Sequence, residues 1–319
     1  MEDETVLVAG EALIDVFPDD GADLATAERL RHRPGGAPAN VAVALATLGI
    51  PARLWARVGE DPFGDRLVDE FAATGLSTRF LERDPDAPTT LALVNPAYET
   101  FQFYRAGCAD VNLGSDGIPE SLLEGVQLAI FGGVGLTERP LRNRLTQVMS
   151  RCATREIPVM FDPNYRDVLW DEDEFRRVIG KQLPAIDVLT ATADELSMLT
   201  GTTDERAAAE QIHDRGCPTV IVTAGAKGAR LYASARSPFG GTRTSHPGYR
   251  VEAVDPVGAG DAFTAGLAAE LAKGNIDPDA ALAVANAAGA LATTDQGAMT
   301  AVPTMDRVLA LIENSPNKA

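Results

Sequence analysis

The chain has 319 residues, 45% of them apolar, enough for one large α/β domain or two ordinary ones. Its 46 acidic residues outnumber the 28 basic ones, and the formal charge of -18 argues against nucleic acid or an anionic membrane as partner. No uncharged apolar run reaches the roughly 18 residues of a membrane span, and the acidic start Met1-Glu2-Asp3-Glu4 is unlike a signal peptide. Cys108, Cys152 and Cys217 are odd in number and far apart, neither a disulfide framework nor a zinc pattern, which fits a reducing cytoplasm. His32, His213 and His246 are equally scattered and read as ordinary core or surface residues. The one tight acidic cluster, Asp171-Glu172-Asp173-Glu174, could bind a cation but reads first as the solvated start of a helix. An acidic excess dispersed along the whole chain suits a salt-rich cytoplasm, hence a halophilic source.

In chain order, Thr5 to Leu13 predicts the first strand, and Asn40 to Leu48 a helix of small residues ended by Gly49. Arg53 to Val58 predicts a strand and Phe63 to Ala73 an amphipathic helix. The short alternating runs Thr89–Val94 and Thr100–Tyr104, around Asn95-Pro96, predict a hairpin-like excursion, and residues 16–33 hold a similar polar one. From Leu128 onward strands alternate with helices: strands at 128–131, 158–161, 188–191 and 219–223, helices near 138–155, 174–182 and 204–215. Helices near 261–273, 278–294 and 304–314 finish the chain. The alternation implies a doubly wound, mostly parallel α/β sheet with helices on both faces. The two excursions imply a small β-sheet lid, with segments near 12–33 and 89–110. With no repeat, low-complexity stretch or linker, residues 1–319 read as a single domain with a lid.

The segment Asp255-Pro256-Val257-Gly258-Ala259-Gly260-Asp261 carries the most chemistry. Small residues entering a helix allow close backbone approach, and the unpaired amides and dipole of a helix N-terminus favour an anion. A carboxylate there is either a plain cap or a base that takes a proton from a hydroxyl while the amides hold an arriving phosphoryl group. Gly35 and Gly36, followed by Asn40, precede the small-residue helix. Asn40 reads as a helix cap or as a donor and acceptor for a polyol. Asp15 reads as a turn residue or as an acceptor for two sugar hydroxyls.

Together these segments resemble the ribokinase-like (PfkB-type) family of carbohydrate kinases, with Gly35–Gly49 like its N-terminal glycine signature and Asp255–Asp261 like its C-terminal one. The resemblance covers nearly the whole chain and implies a doubly wound α/β fold with a β-lid over the sugar. It implies Asp261 as base, Gly258, Ala259 and Gly260 as anion hole, and Asp15, Gly35, Gly36 and Asn40 on sugar hydroxyls. Val222 to Gly228 reads as a strand-to-strand turn or looks like the family's nucleotide loop, with Thr223, Gly225 and Gly228 near the phosphates, and Asn286 would lie by the adenine. Asp255, Val257, Ala292, Asp295, Gly297 and Ala301 match loops that hold a monovalent cation, K+ or another, through carbonyl oxygens. One motif departs: where relatives carry Asn-x-x-Glu near Mg-ATP, this chain reads Thr192-Ala193-Asp194-Glu195. Glu195 is kept for a water-mediated magnesium contact; Thr192 keeps an oxygen and loses the amide donor.

Gly10 to Asp15, Phe103-Tyr104-Arg105 with Ala109-Asp110, and Asp162-Pro163-Asn164-Tyr165-Arg166 resemble fructokinases, the last segment also 2-keto-3-deoxygluconate kinases. Arg105 and Arg166 would meet a sugar carboxylate, hydroxyls or phosphate, or form surface ion pairs. Fructose is the favoured substrate and 2-keto-3-deoxygluconate the alternative. A nucleoside kinase should want an aromatic clamp, and few aromatics (Phe17, Phe101, Phe103, Tyr104) lie near the sugar motifs. A non-catalytic sugar sensor should have a broken signature, and this one is intact. No Gly-x-Gly-x-x-Gly follows the first strand, which disfavours a dinucleotide oxidoreductase. A cytoplasmic homodimer paired through the lid is expected from the resemblance and from exposed sheet edges.

Overall fold

The computed structural model describes residues 4–19, 23–95 and 100–315. The leader reading at residues 1–3, the turn at Pro96 and part of the first lid segment (20–22) fall outside these residues.

The elements run β1 (Thr5–Ala9), β2 (Leu13–Pro18), β3 (Leu30–Gly35), α1 (Ala37–Thr47), β4 (Ala52–Gly59), α2 (Pro62–Ala73), β5 (Leu81–Asp84), β6 (Leu91–Asn95) and β7 (Thr100–Tyr104). There follow β8 (Val126–Gly132), α3 (Leu141–Thr154), β9 (Val159–Asp162), α4 (Glu172–Gln182), β10 (Val188–Thr192), α5 (Ala193–Thr200) and α6 (Glu205–Asp214). The chain closes with β11 (Thr219–Thr223), β12 (Ala229–Ala233), β13 (Arg243–His246), α7 (Ala259–Ala272), α8 (Pro278–Ala292) and α9 (Met305–Asn314). Nine strands form one sheet in the order β13-β12-β11-β10-β9-β8-β1-β4-β5, parallel from β11 to β5 and antiparallel at the β12–β13 edge. Four form a smaller sheet, β3-β2-β6-β7, whose two antiparallel hairpins are joined by the parallel pair β2–β6.

Successive residues of a strand face opposite sides, and β1 sorts accordingly. Val6 and Val8 pack with α1, α7 and α8 in one core; Leu7 and Ala9 pack with α3 to α6 in the other. Both faces are covered, as a parallel sheet requires. On one face α1, α7 and α8 are apolar nearly all round, which suits full burial.

The structure departs from the sequence expectation at several elements. The first strand does not continue to Leu13. It ends at Ala9, the chain bends at Gly10 (φ 152), and Leu13–Pro18 joins the small sheet. Any side chain on Gly10 would meet Pro38 Cγ at 2.6 Å. The helix expected from Asn40 starts at Ala37, because its first turn accepts Pro38 without losing a hydrogen bond. β5, β12, β13 and α5 were not anticipated. β5 reads Leu-Glu-Arg-Asp, a poor strand by composition, but the buried Arg57 on β4 binds Asp84 (Nε to Oδ2, 2.9 Å) and Glu82 (Nη1 to Oε2, 3.1 Å). No described helix is long and apolar enough to cross a membrane.

Candidate active site

Parallel strands of one sheet end along one edge, and ligands bind where the strand order reverses. Here it reverses between β1 and β8, and a cavity of about 350 Å³ lies at their carboxyl ends. Glu11 enters it after β1, Val134 after β8, Asp162 from the end of β9, Thr192 from β10 and Thr223 from β11. Two helix N-termini supply another wall. Gly36 (φ 98) precedes α1 and Gly258 (φ 83) precedes α7, and neither helix has a side-chain cap, although Ala259 N donates to Pro256 O at 3.2 Å.

Asp261 is the third residue of α7, and Asn40 Nδ2 donates to its Oδ2 at 2.7 Å. Burial pushes Asp261 up to about 6, opposed by the Asn40 hydrogen bond and the Arg166 charge. Asp15, on β2, is pushed up to about 7 by burial and the nearby Asp261, against Arg166. A Cβ on Gly35 would overlap Asp15 Oδ2, so this glycine is what lets the carboxylate lie flat against β3. Asp162 is raised strongly by burial and by the Glu195 and Asp261 charges. Arg166 faces these carboxylates; its Nη1 donates to Tyr165 O at 2.8 Å and its guanidinium sits 4.9 Å from the Phe101 ring centroid.

The structure brings together Asp15, Gly36, Asn40, Arg166, Thr192, Glu195, Thr223, Val257, Gly258, Gly260 and Asp261 around this one cavity. Gly35 backs it through Asp15. Arg105 does not line it. It is 2% exposed, its Nε donates to Asp110 Oδ2 at 2.6 Å, and its Nη1 donates to Val134 O at 3.0 Å and Thr137 Oγ1 at 2.6 Å. Glu195 closes a capping box with Thr192: its Oε2 accepts from Thr192 N and Oγ1, both at 2.8 Å, and its Oε1 from Tyr165 N at 2.8 Å. Thr192 therefore serves the capping role for which its hydroxyl suffices.

Gly225 and Gly228 form the turn between antiparallel β11 and β12, outside the cavity wall. Asn286 is buried in α8 and donates to Leu282 O at 2.7 Å. The cation-loop positions cluster behind the α7 N-terminus. Asp255 accepts from Val257 N (Oδ1, 3.0 Å) and Gly297 N (Oδ2, 3.0 Å), Thr293 O accepts from Val254 N and Asp255 N, and the Gly258 turn packs on Ala298.

The sequence matches the pfkB family of carbohydrate kinases over residues 3–305. The chain belongs to this family. It is 33% identical over 317 residues to a fructokinase of Vibrio alginolyticus, covering 96% of this chain and 98% of that one. The crystal structure of a Xylella fastidiosa fructokinase with bound ATP superposes with a TM-score of 0.86 at 32% identity, covering 97% of this chain and 98% of the other. That of a Vibrio cholerae fructokinase double mutant with fructose, ADP and a potassium ion gives 0.83 at 30%, with the same coverage. The chain is thus a fructokinase-like carbohydrate kinase with a ribokinase-type fold.

Five polar residues of this kinase's cavity were given no role from sequence: Glu11, Asp162, Asn164, Thr190 and Thr264. Asp162 had a legible signal, an acidic residue closing an apolar strand at the carboxyl edge of a parallel sheet. Glu11 shares the every-second-residue face of Leu13 and Asp15. Phe101 and Phe103, on one face of β7, add an aromatic wall from the small sheet.

Proposed function

We propose that this kinase transfers the γ-phosphoryl group of ATP to a primary hydroxyl of a ketose, with fructose as substrate. The observation that carries the reading is Asp261: a buried carboxylate, raised towards neutrality, in the first turn of an uncapped helix that opens on the cavity. In that position it takes the hydroxyl proton as the oxygen attacks phosphorus in line. The amides of Gly258, Ala259 and Gly260 stabilise charge on the transferred group. Gly260 supports this role. A Cβ there would meet nothing within 4 Å, so the chain's own packing does not require glycine, and the space before it suits an incoming phosphoryl group. Asp15, the Gly36 backbone and Asn40 hold sugar hydroxyls. The small sheet acts as a lid of one kinase domain, Phe101 and Phe103 closing over the sugar to exclude water.

The cavity wall carries Glu11, Asp15, Asp162, Glu195 and Asp261 against a single described cation, Arg166. That balance favours a neutral polyol over a sugar acid. With Arg105 held by Asp110 beneath the wall, Arg166 is the side chain placed to meet a carboxylate or a phosphate.

The nucleotide extends from Thr223 towards the 225–228 turn and α8. A magnesium ion on its phosphates supplies charge neutralisation. Both Glu195 oxygens already accept protein hydrogen bonds, so Glu195 and Thr192 fit a contact through water and not direct ligation. Carbonyl oxygens of Asp255, Val257, Ala292, Asp295, Gly297 and Ala301 would hold a monovalent cation such as K+, behind the anion hole. The free edges of the small sheet, β3 and β7, suit pairing with a second copy.

A coupled ADP-release assay with Mg-ATP in KCl, comparing fructose, 2-keto-3-deoxygluconate, ribose, glucose and adenosine, tests the reading. Selective turnover of fructose supports it. Selective turnover of the keto-acid keeps the chemistry and makes Arg166 its carboxylate clamp; selective turnover of adenosine makes Phe101 and Phe103 a base platform.

A further inference from the structure

Glu11 lies between Gly10, where the chain leaves β1, and Leu13, where β2 begins. Glu11, Leu13 and Asp15 all line the cavity, so the two acidic side chains share one face of an extended segment. Glu11 is 2% exposed, and its backbone packs close to Gly36, where a Cβ would come within 2.7 Å of the Glu11 carbonyl oxygen. Its Oε2 is buried and has no hydrogen-bond partner among the described residues. A buried carboxylate oxygen without a donor is costly, and native structures rarely keep one without a use. No hydrogen bond from a neighbouring described group reaches it, although Arg105 keeps one buried Nη2 that likewise has no partner among the described residues. Arg105 attracts Glu11 electrostatically, but it lies outside the cavity wall, with Nε and Nη1 engaged by Asp110, Val134 and Thr137. Asp110 is engaged in turn by Arg105 and by the Thr90 hydroxyl. This network anchors one guanidinium behind the wall and leaves the Glu11 oxygen unpaired at it.

We propose that Glu11 Oε2 accepts a hydrogen bond from one hydroxyl of the bound sugar, which makes Glu11 a specificity-determining residue beside Asp15. The inference rests on the reading of this cavity as the sugar site. A polyol hydroxyl is the fitting ligand, because it is a neutral donor small enough to reach a carboxylate in a wall. A site built around such an acceptor rejects analogues that lack the matching hydroxyl, because the acceptor is then left unpaired.

The test compares wild type with Glu11→Gln and Glu11→Asp on the preferred sugar and on its monodeoxy analogues, by steady-state kinetics and calorimetric affinity, with thermal melts as the fold check. Gln keeps the size and removes the charge; Asp keeps the charge that Arg105 needs and withdraws the oxygen. Both variants are expected to raise KM for the full sugar by about tenfold, with kcat changed less than about threefold. The penalty should disappear for one monodeoxy analogue, the one missing the hydroxyl that Glu11 reads. An equal penalty on every analogue, or none on any, in a variant that melts like wild type overturns the proposal and leaves Glu11 as a counter-charge for Arg105. If wild type does not turn over fructose, the ketose reading fails on its own. The same variant series on the substrate it does phosphorylate then decides Glu11 by the same pattern.

Discussion

Asn40 and Asp261 stand 221 positions apart in the chain and meet through a 2.7 Å hydrogen bond that ties the first turn of α1 to the first turn of α7. The bond joins the two glycine-led helix starts at one point and holds the carboxylate of the proposed base in a single orientation. Asp261→Asn keeps the shape and removes the basic oxygen. Turnover should fall by a factor on the order of a hundred or more while calorimetric sugar affinity stays within a few-fold. Retained turnover would remove Asp261 as the base.

Asn40 also stabilises the charged form of Asp261, which burial nonetheless holds up at about 6. The base works deprotonated, so kcat/KM should climb with pH through about 6. Asn40→Ala withdraws a donor to the carboxylate, which raises its pKa and moves the acid limb to higher pH. A pH–rate profile with an unmoved limb, or one displaced to lower pH, contradicts this role for Asn40.

The buried acids should also cost the unliganded protein stability. Asp15 rises from 3.8 unfolded to about 7 folded, so the folded chain binds its proton more tightly. Between those values the folded state holds more protons than the unfolded one, and stability falls as pH rises across the window. Asp15→Asn, measured by thermal unfolding without sugar, should raise Tm at pH 8 and change it little at pH 4, while weakening sugar binding. A lower Tm at pH 8 would mean that Asp15 is a net stabilising contact.

Gly258 and Gly260 should separate under mutation to alanine. Gly258 has φ 83 and its Cβ would sit 2.6 Å from Ala298, so Gly258→Ala should lose about 1–2 kcal/mol or more of folding stability. Gly260→Ala has open space around the new methyl and should fold as wild type, yet lose turnover because the methyl stands where the phosphoryl group arrives. Full activity in Gly260→Ala would place the phosphoryl group elsewhere.

With 46 acidic and 28 basic residues, the chain repels itself at low ionic strength. Its unfolding midpoint should rise steadily between dilute buffer and molar KCl, as screening relieves that repulsion. A flat dependence removes the halophilic reading.

Much of the main sheet was legible because period and punctuation agree in it: apolar runs such as Leu128–Phe131 and Thr219–Thr223 are short, bounded and separated by amphipathic helices. What escaped depends on partners far away in sequence. β5 is mostly charged and holds its place through Arg57; the turn at 225–228 was the local sign of β12, and β13 extends the sheet by a further antiparallel pairing. The continuous run from Thr5 to Leu13 gave no sign of its division between two sheets, apart from Gly10. At the site, the glycine signatures marked their positions because close backbone approach demands a residue type. Glu11 and Asp162 did not stand out, because a carboxylate becomes unusual only once burial is known. Arg105 looked like a ligand-binding cation, and its partner Asp110 sits five positions on, a pairing that sequence leaves open.

The small sheet has no continuous chain of its own. One hairpin comes from residues 13–35 and the other from 91–104, and they meet only where β2 runs parallel to β6, Ile14 beside Leu91. Each hairpin alone is marginal in water, and α1, β4, α2 and β5 lie between the two in the chain. The register of the small sheet therefore depends on the intervening body that brings its two hairpins together.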